Sequence, residues 1–379
     1  MPKLLFFVTE DWFFVSHFLP MARAARAAGF DVAVATRVRN DGARLEAEGL
    51  RVIALNAERG SLSMLEAIRN LASAIKIVRA ERADVVHCVA LRSGVICGVA
   101  ARLASGGTLV LAPTGLGNLW VEQDATTRIL RGIVRLTVGW WLRGPKTHYL
   151  FENRDDPREF WLDPDGPEVT IVGGAGVDPA RFPLLPLPPA PPVKVAVVAR
   201  MIWPKGIAEA VEAARCARAL GAPIELHLFG GLDPSSRRSI DAATLREWSA
   251  EPGITWHGVT TDVPRVWREH HVALFLSYYR EGLPRTLVEA AAAGRPIVTT
   301  NVTGCRDVVR DGIEGILVPP GDIEAAGRAL ARLAGDPALR ARLGLAANRR
   351  FHECFTEAAV QRVVDGLYRS LSAAAARTA

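Results

Sequence analysis

Cysteine is scarce in this chain and is not arranged as a metal site or a disulfide framework. Five cysteines occur among 379 residues, an odd count, and no pair has the CxxC spacing. Structural zinc and a disulfide scaffold are therefore disfavoured, and a reducing compartment is expected. Also missing is an uncharged apolar run of about 18 residues that could span a membrane, and the apolar stretch after Met1 is too short for a signal peptide. These absences predict a cytoplasmic protein, and they leave open a peripheral position at the inner face of the cell membrane.

Strong charge bias is absent as well. The net charge is +6 and 49% of the residues are hydrophobic, so a large core is expected and disorder is not. No run of Lys and Arg and no aromatic RNA-binding signature occurs, so nucleic acid is not an expected partner. The mild positive charge favours a phosphate-bearing ligand or an anionic membrane surface.

Short apolar runs alternate with helical patterns along the whole chain. The runs Leu4–Val8 and Thr108–Leu111 are typical of buried strands, and the helical pattern 125–142 follows the second. Such alternation predicts an α/β fold in which doubly wound parallel sheets are covered by helices on both faces. Six prolines within 183–192 predict a stiff connector, after which the alternation restarts at Val193. The length and this connector indicate two Rossmann-like domains, 1–185 and 186–354, followed by a helix in 355–379.

The segment from Glu281 to Glu289 carries the clearest chemical signal. It follows the apolar strand Val272–Leu276 and places Pro284 where a helix begins, since proline fits the first helical position. Gly282 lets the chain turn, and backbone N–H groups around Leu283–Thr286 would form an anion site suited to a diphosphate. Glu281 before the helix and Glu289 in its second turn could then bind sugar and ribose hydroxyls. A capped surface helix with two ordinary glutamates is the alternative.

Arg200 and Lys205 flank a loop between a strand and a helix. An Arg fork and a Lys point charge can hold two phosphates without a metal and can stabilise the charge that develops on a departing diphosphate. Two solvated surface cations are the alternative. The glutamate segment favours the phosphate interpretation.

The spacing Glu-x7-Glu, with Gly-Leu-Pro between the acids and Glu-Ala-x-Ala-x-Gly-x-Pro after, resembles the signature of family 4 (group 1) retaining glycosyltransferases of the GT-B fold. Three further segments, 198–206, 174–182 and 315–322, resemble motifs of that family in the same order. The resemblance implies two domains facing a cleft, with the first binding the acceptor, the second binding the nucleotide sugar and the last helix crossing back to the first. It also implies diphosphate binding by Arg200 and Lys205, sugar binding by Glu281 and ribose binding by Glu289.

The N-terminal segment 9–17 departs from most of the family because it lacks glycines. Its Asp-Trp-Phe-Phe-x-Ser-His form resembles a subgroup that assembles bacterial surface polysaccharides and lipid-linked glycans. We expect it to be a loop, with His17 beginning the first helix and facing the cleft. Thr114 and Gly115 lie where some relatives carry a His, so a catalytic histidine there is not assumed. For His17, a helix terminus without a chemical role is the alternative.

The resemblance implies transfer, with retention, of a hexose or N-acetylhexosamine from a nucleotide-diphosphate sugar, preferably a UDP-sugar. The acceptor would be a glycan or a polyprenyl-linked glycan of bacterial surface polysaccharide synthesis. No metal and no other cofactor is expected, and Asp163-Pro-Asp165 is predicted to be a turn rather than a metal motif. Two rivals stay open: a UDP-sugar 2-epimerase on the same fold, and a non-catalytic nucleotide-sugar-binding protein.

The segment 128–143 is basic and amphipathic, and it ends near Trp140 and Trp141. Basic residues beside aromatics suit a helix lying in an anionic lipid interface. A core-packed helix with solvated arginines is the alternative.

Overall fold

The structure is a computed structural model that describes residues 1–55, 64–234 and 236–378. The helix starts predicted at Leu62 and Ser235 lie outside the described residues. The chain divides into two compact units, unit 1 (Met1–Gly176 with Glu357–Ala379) and unit 2 (Val177–Thr356).

The described residues form strands and helices that alternate along most of the chain. The strands are β1 (Lys3–Glu10), β2 (Asp31–Arg37), β3 (Arg51–Ala54), β4 (Val85–Val89), β5 (Thr108–Ala112), β6 (Thr147–Phe151), β7 (Val169–Ile171), β8 (Val193–Val198), β9 (Ile224–Phe229), β10 (Ile254–Gly258), β11 (Val272–Phe275), β12 (Ile297–Thr300) and β13 (Gly315–Val318). The helices are α1 (Asp11–His17), α2 (Leu19–Ala27), α3 (Gly42–Ala47), α4 (Met64–Glu81), α5 (Leu91–Ala104), α6 (Asn118–Val121), α7 (Ala125–Leu136), α8 (Asp156–Glu159), α9 (Ile207–Ala219), α10 (Ala242–Ser249), α11 (Val263–Glu269), α12 (Arg285–Ala292), α13 (Cys305–Val308), α14 (Ile323–Gly335), α15 (Pro337–Cys354) and α16 (Glu357–Thr378).

Unit 1 contains a seven-stranded parallel sheet in the order β3-β2-β1-β4-β5-β6-β7. Its interior strand β1 is buried over Leu4–Val8, as a strand covered by helices on both faces must be. The last helix, α16, belongs to this unit. Its Tyr368 hydroxyl lies 3.1 Å from Nδ1 of the buried His87 on β4.

Unit 2 contains a six-stranded parallel sheet in the order β10-β9-β8-β11-β12-β13. Valine, isoleucine and leucine from these strands form a core with the alanine-rich inner face of α9. The predicted α/β class with two doubly wound parallel sheets is confirmed.

The proline-rich segment 183–192 lies inside unit 2, where buried side chains hold its backbone. The guanidinium of Arg295 donates to the carbonyls of Pro186 and Trp267, and His271 Nε2 lies 3.1 Å from the Pro188 carbonyl oxygen. Because prolines lack N–H groups, this segment cannot join the sheet, and these side chains satisfy its carbonyls instead.

The predicted loop 9–17 was wrong, because these residues continue β1 and then form α1. His17 ends that helix rather than beginning the next one. The reason is Asp11, which is fully buried and accepts hydrogen bonds from the backbone N–H groups of Trp12, Arg39, Asn40 and Asp41. This side chain fixes the helix start to the chain after β2.

One other prediction fails locally, and two elements were not predicted. The helix predicted over 235–249 begins only at Ala242, where the Asp241 side chain accepts from the Thr244 N–H and caps it. The helix α11 and the half-exposed strand β3 were not predicted. The turn predicted at 163–165 is confirmed, since the Asp165 N–H donates to the Asp163 side chain. Among the described residues, no helix is both long enough and apolar enough to cross a membrane.

Each sheet has a topological switch point, which is the pair of neighbouring strands from which the chain continues toward opposite edges of the sheet. In unit 1 it lies between β1 and β4, and in unit 2 between β8 and β11. Ligands of doubly wound sheets bind in the crevice outside the carboxyl ends of the strands at such points. The candidate site residues are therefore expected at these two edges.

Candidate functional site

Lys205 lies beyond the carboxyl end of β8, in a 3-10 turn formed by Trp203–Lys205. Gly206 follows with φ +73°, and a Cβ there would lie 2.1 Å from the Leu276 carbonyl oxygen. Only glycine allows so close an approach in a left-handed conformation. The turn is thereby pressed against the end of β11, and the Tyr278 N–H donates to the Pro204 carbonyl at 3.1 Å.

Lys205 and Glu281 meet at the switch point of unit 2. Lys205 Nζ lies 2.7 and 2.8 Å from the two Glu281 carboxylate oxygens, and both side chains are mostly buried. Ser277 Oγ lies 2.6 Å from Glu281 Oε1. The rings of Phe275 and Tyr279 lie 5.2 and 5.8 Å from Lys205 Nζ, a cation–π distance. Two predicted site residues are thus held together by contacts that fix both.

Arg200 is oriented differently from Lys205. Its Nη1 lies 2.5 Å from Asp233 Oδ2, on the loop after β9, and its side chain is half exposed. The structure therefore places Arg200 at the same sheet edge as Lys205 but pairs it with an acid that the sequence analysis did not single out. An exposed guanidinium on a surface ion pair can leave its partner at little cost.

Glu289 lies in the second turn of α12, as predicted, and is buried. Arg285 Nε donates to its Oε1 at 2.8 Å, one helical turn earlier. Burial raises the pKa of the Glu289 carboxyl, while the charges of Arg285 and Arg181 act to lower it. A buried carboxylate paired with an arginine is a strong hydrogen-bond acceptor.

The residues between the two glutamates form the entry to α12. Pro284 is the N-cap, not the first helical residue as predicted, because its ψ of 109° is extended and the helix begins at Arg285. Gly282 is buried, and Leu283 packs partly buried against the core of unit 2. The amino end of this eight-residue helix, with its partial positive charge, therefore lies beside Glu281 and Lys205.

Unit 1 has a cavity of about 290 Å³ at its own switch point. The carboxyl end of β1 forms one wall, and two arginines on helices line it: Arg69 on α4 and Arg92 on α5. Asn70 and Ser93 add polar groups, and apolar side chains complete the lining. Arginines beside apolar surface suit an amphiphilic anion.

The other predicted residues of unit 1 are His17, Thr114 and Gly115. His17 Nδ1 lies 2.7 Å from Ser16 Oγ, and its ring stacks on Phe13 at 4.4 Å. Thr114 and Gly115 lie just past the carboxyl end of β5, with Gly115 at φ +92°. Their roles remain predictions.

The sequence analysis missed Ser277, Asp233 and Arg285, which hold the predicted residues in place. Arg285 could have been found, since it stands four residues before Glu289 on a helix. Ser277 and Asp233 carry no such signal, because their contacts depend on how two loops fold. Across the described ranges, no group of three His, Cys, Asp or Glu side chains is arranged to hold a metal ion.

Two parts of the chain match known protein families. Residues 192–336 match the family described as glycosyl transferases group 1. Residues 3–139 match the family described as glycosyl transferase 4-like. The two matches cover most of the chain.

Two of the curated relatives are named as bacterial glycosyltransferases. The capsular polysaccharide biosynthesis glycosyltransferase CapM of Staphylococcus aureus is 26% identical over 46% of this chain and 46% of its own length. The match thus spans about half of that relative. N,N'-diacetylbacillosaminyl-diphospho-undecaprenol alpha-1,3-N-acetylgalactosaminyltransferase of Campylobacter jejuni is 22% identical over 79% of this chain and 80% of its own length.

Solved structures share the fold over nearly the whole chain. Sucrose-phosphate synthase of Thermosynechococcus elongatus superposes with a TM-score of 0.75 at 20% identity, over 99% of this chain and 100% of the other. Anabaena HepE in complex with UDP-glucose superposes with a TM-score of 0.74 at 16% identity, over 98% and 100%. Both families and this fold agree with the motifs, and the chain belongs to the group 1 (family 4) glycosyltransferases of the GT-B fold.

Proposed function

We propose that this protein is a retaining glycosyltransferase of bacterial surface polysaccharide synthesis. It moves a hexose or N-acetylhexosamine from a nucleotide-diphosphate sugar, preferably a UDP-sugar, to a glycan or lipid-linked acceptor. The observation that carries the proposal is the Lys205–Glu281 pair, seated on Ser277 at the switch point of unit 2. Family membership and the activities for which the relatives are named support it.

The donor binds along the carboxyl edge of unit 2 in this proposal. Lys205 and Arg200 bind the diphosphate, and the amino end of α12 with Gly282, Leu283 and Pro284 adds partial positive charge. Glu281 accepts hydrogen bonds from sugar hydroxyls and Glu289 from ribose hydroxyls. The cations neutralise the charge of the departing diphosphate, so the reaction proceeds without a metal or another cofactor.

The chemical step replaces one bond at the anomeric carbon by another on the same face. The bond from that carbon to the diphosphate oxygen breaks, and the bond to the acceptor oxygen forms. The acceptor's proton passes to the departing phosphate oxygen, so no separate protein base is needed. Lys205 lowers the barrier because the negative charge on the diphosphate increases as the sugar leaves.

Unit 1 binds the acceptor in this proposal, through the cavity between β1 and α5. Arg69 and Arg92 beside apolar residues suit an acceptor that carries phosphate next to a hydrocarbon chain. The Campylobacter relative is named for a diphospho-undecaprenol acceptor, which has this chemistry. His17, Thr114 and Gly115 belong to the acceptor side of this proposal.

The test is a turnover assay with the full chain, a panel of UDP- and GDP-sugars, and polyprenyl-diphosphate-linked and free glycan acceptors. We expect nucleotide release only when both donor and acceptor are present. Product analysis by NMR should show the anomeric configuration of the donor.

Three results would contradict the proposal. Conversion of a UDP-sugar without acceptor would indicate the 2-epimerase. Donor binding with every acceptor mixture inert would indicate a non-catalytic binding protein. A product of inverted configuration would overturn the retaining mechanism.

A further inference from the structure

Helix α7 presents its apolar side to solvent. Its side chains Ile129, Ile133 and Leu136, with Trp140 in the turn that follows, are 51–70% exposed. Their spacing of four, three and four residues places them on one stripe of a helix. Within the described residues of α7, none is buried. A contiguous apolar stripe of this kind marks a surface that binds something.

Two arginines of α7, Arg131 and Arg135, point the other way and attach the helix to unit 1. Arg131 donates to the carbonyls of Leu119 and Glu122 at 2.9 and 2.6 Å, and Arg135 donates to the Glu159 carbonyl at 2.6 Å. Arg131 and Arg135 are therefore bonded within unit 1, while Ile129, Ile133 and Leu136 lie outside its core. The polar side is used inside the protein, and the apolar side is left for a partner.

A π-helical turn, Thr137–Trp141, continues the exposed surface. Val138 and Gly139 are buried in it, and a Cβ on Gly139 would lie 2.4 Å from the Phe160 carbonyl oxygen. With these two residues packed inward, Trp140 and Trp141 are 70% and 39% exposed. The close packing at Gly139 thus fixes two tryptophans at the end of the stripe.

The charge of this segment indicates what kind of partner it binds. Residues 125–146 contain five basic residues and no acidic residue, and Arg128 among them is exposed while Arg131 and Arg135 are bonded to unit 1. Tryptophans and cations around an apolar stripe are the composition of helices that lie in the interface of an anionic bilayer. The twelve residues of α7 are too few to span a bilayer, which takes about 20.

We propose that α7 and its π-helical turn form a membrane-binding surface that lies in the headgroup region of anionic lipid bilayers. Ile129, Ile133, Leu136 and Trp140 enter the acyl boundary, and the exposed Arg128 contacts lipid phosphates. This inference rests on the exposure and charge of α7 and is independent of the proposed donor site.

The test is co-flotation of the full chain with vesicles of phosphatidylcholine alone or with about 30% phosphatidylglycerol, the anionic share chosen to supply surface charge. We expect binding to the anionic vesicles that weakens at high salt. The variant Ile133→Ser/Trp140→Ser should bind at least about tenfold more weakly, because it lacks two apolar side chains that would enter the bilayer. Leu220→Ser removes a leucine that is 59% exposed in unit 2 and should bind as the wild type does.

A second measurement places the helix in the bilayer. Brominated lipid should quench wild-type tryptophan fluorescence, and Trp140→Phe/Trp141→Phe should lose most of that quenching. The proposal is overturned if the wild type does not float with anionic vesicles, or if the Ile133/Trp140 variant floats equally. A wild-type dimer that this variant dissociates, without vesicle binding, would instead assign the stripe to contacts between copies.

Discussion

Lys205 and Glu281 are 76 residues apart in sequence, and each gives up most of its hydration to form their ion pair. A buried ion pair contributes little net stability, because the cost of desolvating both charges offsets their attraction. The arrangement is better explained by function. A cation already fixed where the diphosphate charge develops does not have to reorganise during the reaction.

The effects of Glu289 on stability and on donor binding can be measured separately in one variant. Burial raises the pKa of its carboxyl above the usual value, so the folded state binds a proton more readily than the unfolded chain does. At pH values above the raised pKa, the charged carboxylate therefore makes the fold less stable than a neutral side chain would.

We predict that Glu289→Gln keeps or raises the denaturation midpoint at pH 7 and weakens UDP-sugar binding by about tenfold or more, because the charged acceptor for ribose is lost. Glu324→Gln is the matched control, since Glu324 also pairs with an arginine four residues away, at 3.1 Å, but is exposed. A loss of stability in Glu289→Gln with unchanged donor affinity would assign Glu289 a structural role only. Chemical denaturation measures the stability, and calorimetric titration measures the affinity for the UDP-sugar.

At the scale of elements, the connection from β8 to α9 depends on Gly206. Its left-handed backbone and its contact with the Leu276 carbonyl set the position of Lys205 against the β11 end. Gly221 offers a comparison, because it has φ +84° but no atom within 4 Å of its Cβ position.

We expect Gly221→Ala to cost about 1 kcal/mol, from backbone strain alone. Gly206→Ala should cost clearly more, since the Leu276 carbonyl has to move, and turnover should fall with it. Urea denaturation and kcat/KM measure the two effects. Equal stability losses in the two variants, with turnover intact in Gly206→Ala, would show that this contact does not position Lys205.

The attachment of α16 to unit 1 includes a pH-sensitive contact. His87 is fully buried beside Tyr368, and burial lowers the pKa of His87 to about 3. The unfolded chain binds a proton near pH 6.5 and the native state does not. Stability from this site is therefore complete above about pH 6.5 and decreases as the pH falls toward 3, by about 1.4 kcal/mol per pH unit.

We predict that His87→Phe/Tyr368→Phe shows a shallower loss of stability between pH 6.5 and 4.5 than the wild type, by about one proton. The aromatic neighbour Phe6, 4.7 Å from the His87 ring, makes a phenyl ring a reasonable replacement. His352→Phe, on the exposed face of α15, is the control. An unchanged pH slope in the double variant would exclude His87 as the titrating group.

At the scale of the whole molecule, the sequence predicts what hydrophobic patterning controls. The buried strands of both sheets were found because parallel strands are continuous apolar runs. The short strand β3 was missed because it is half exposed, and α1 because the hydrogen bonds that fix its start come from residues after β2. Lys205 and Glu281 were found from motif spacing, whereas Ser277 depends on the tertiary contact of two loops.

The exposed stripe of α7 shows the same limit. The amphipathic pattern was visible in sequence, but periodicity alone does not tell which side of a helix faces the protein. The hydrogen bonds of Arg131 and Arg135 show that the side with these arginines faces the protein.

The central claim is that Lys205 binds the diphosphate of a nucleotide-sugar donor, and calorimetric titration of UDP-sugars tests it most directly. The wild type should bind at least one of them, and Lys205→Met should bind that donor about 100-fold or more weakly, because a buried charge-assisted contact is removed. Lys194→Met, at the opposite end of β8, should bind as the wild type does. Equal affinity in Lys205→Met and the wild type, or no binding of any nucleotide sugar to the wild type, would contradict the claim.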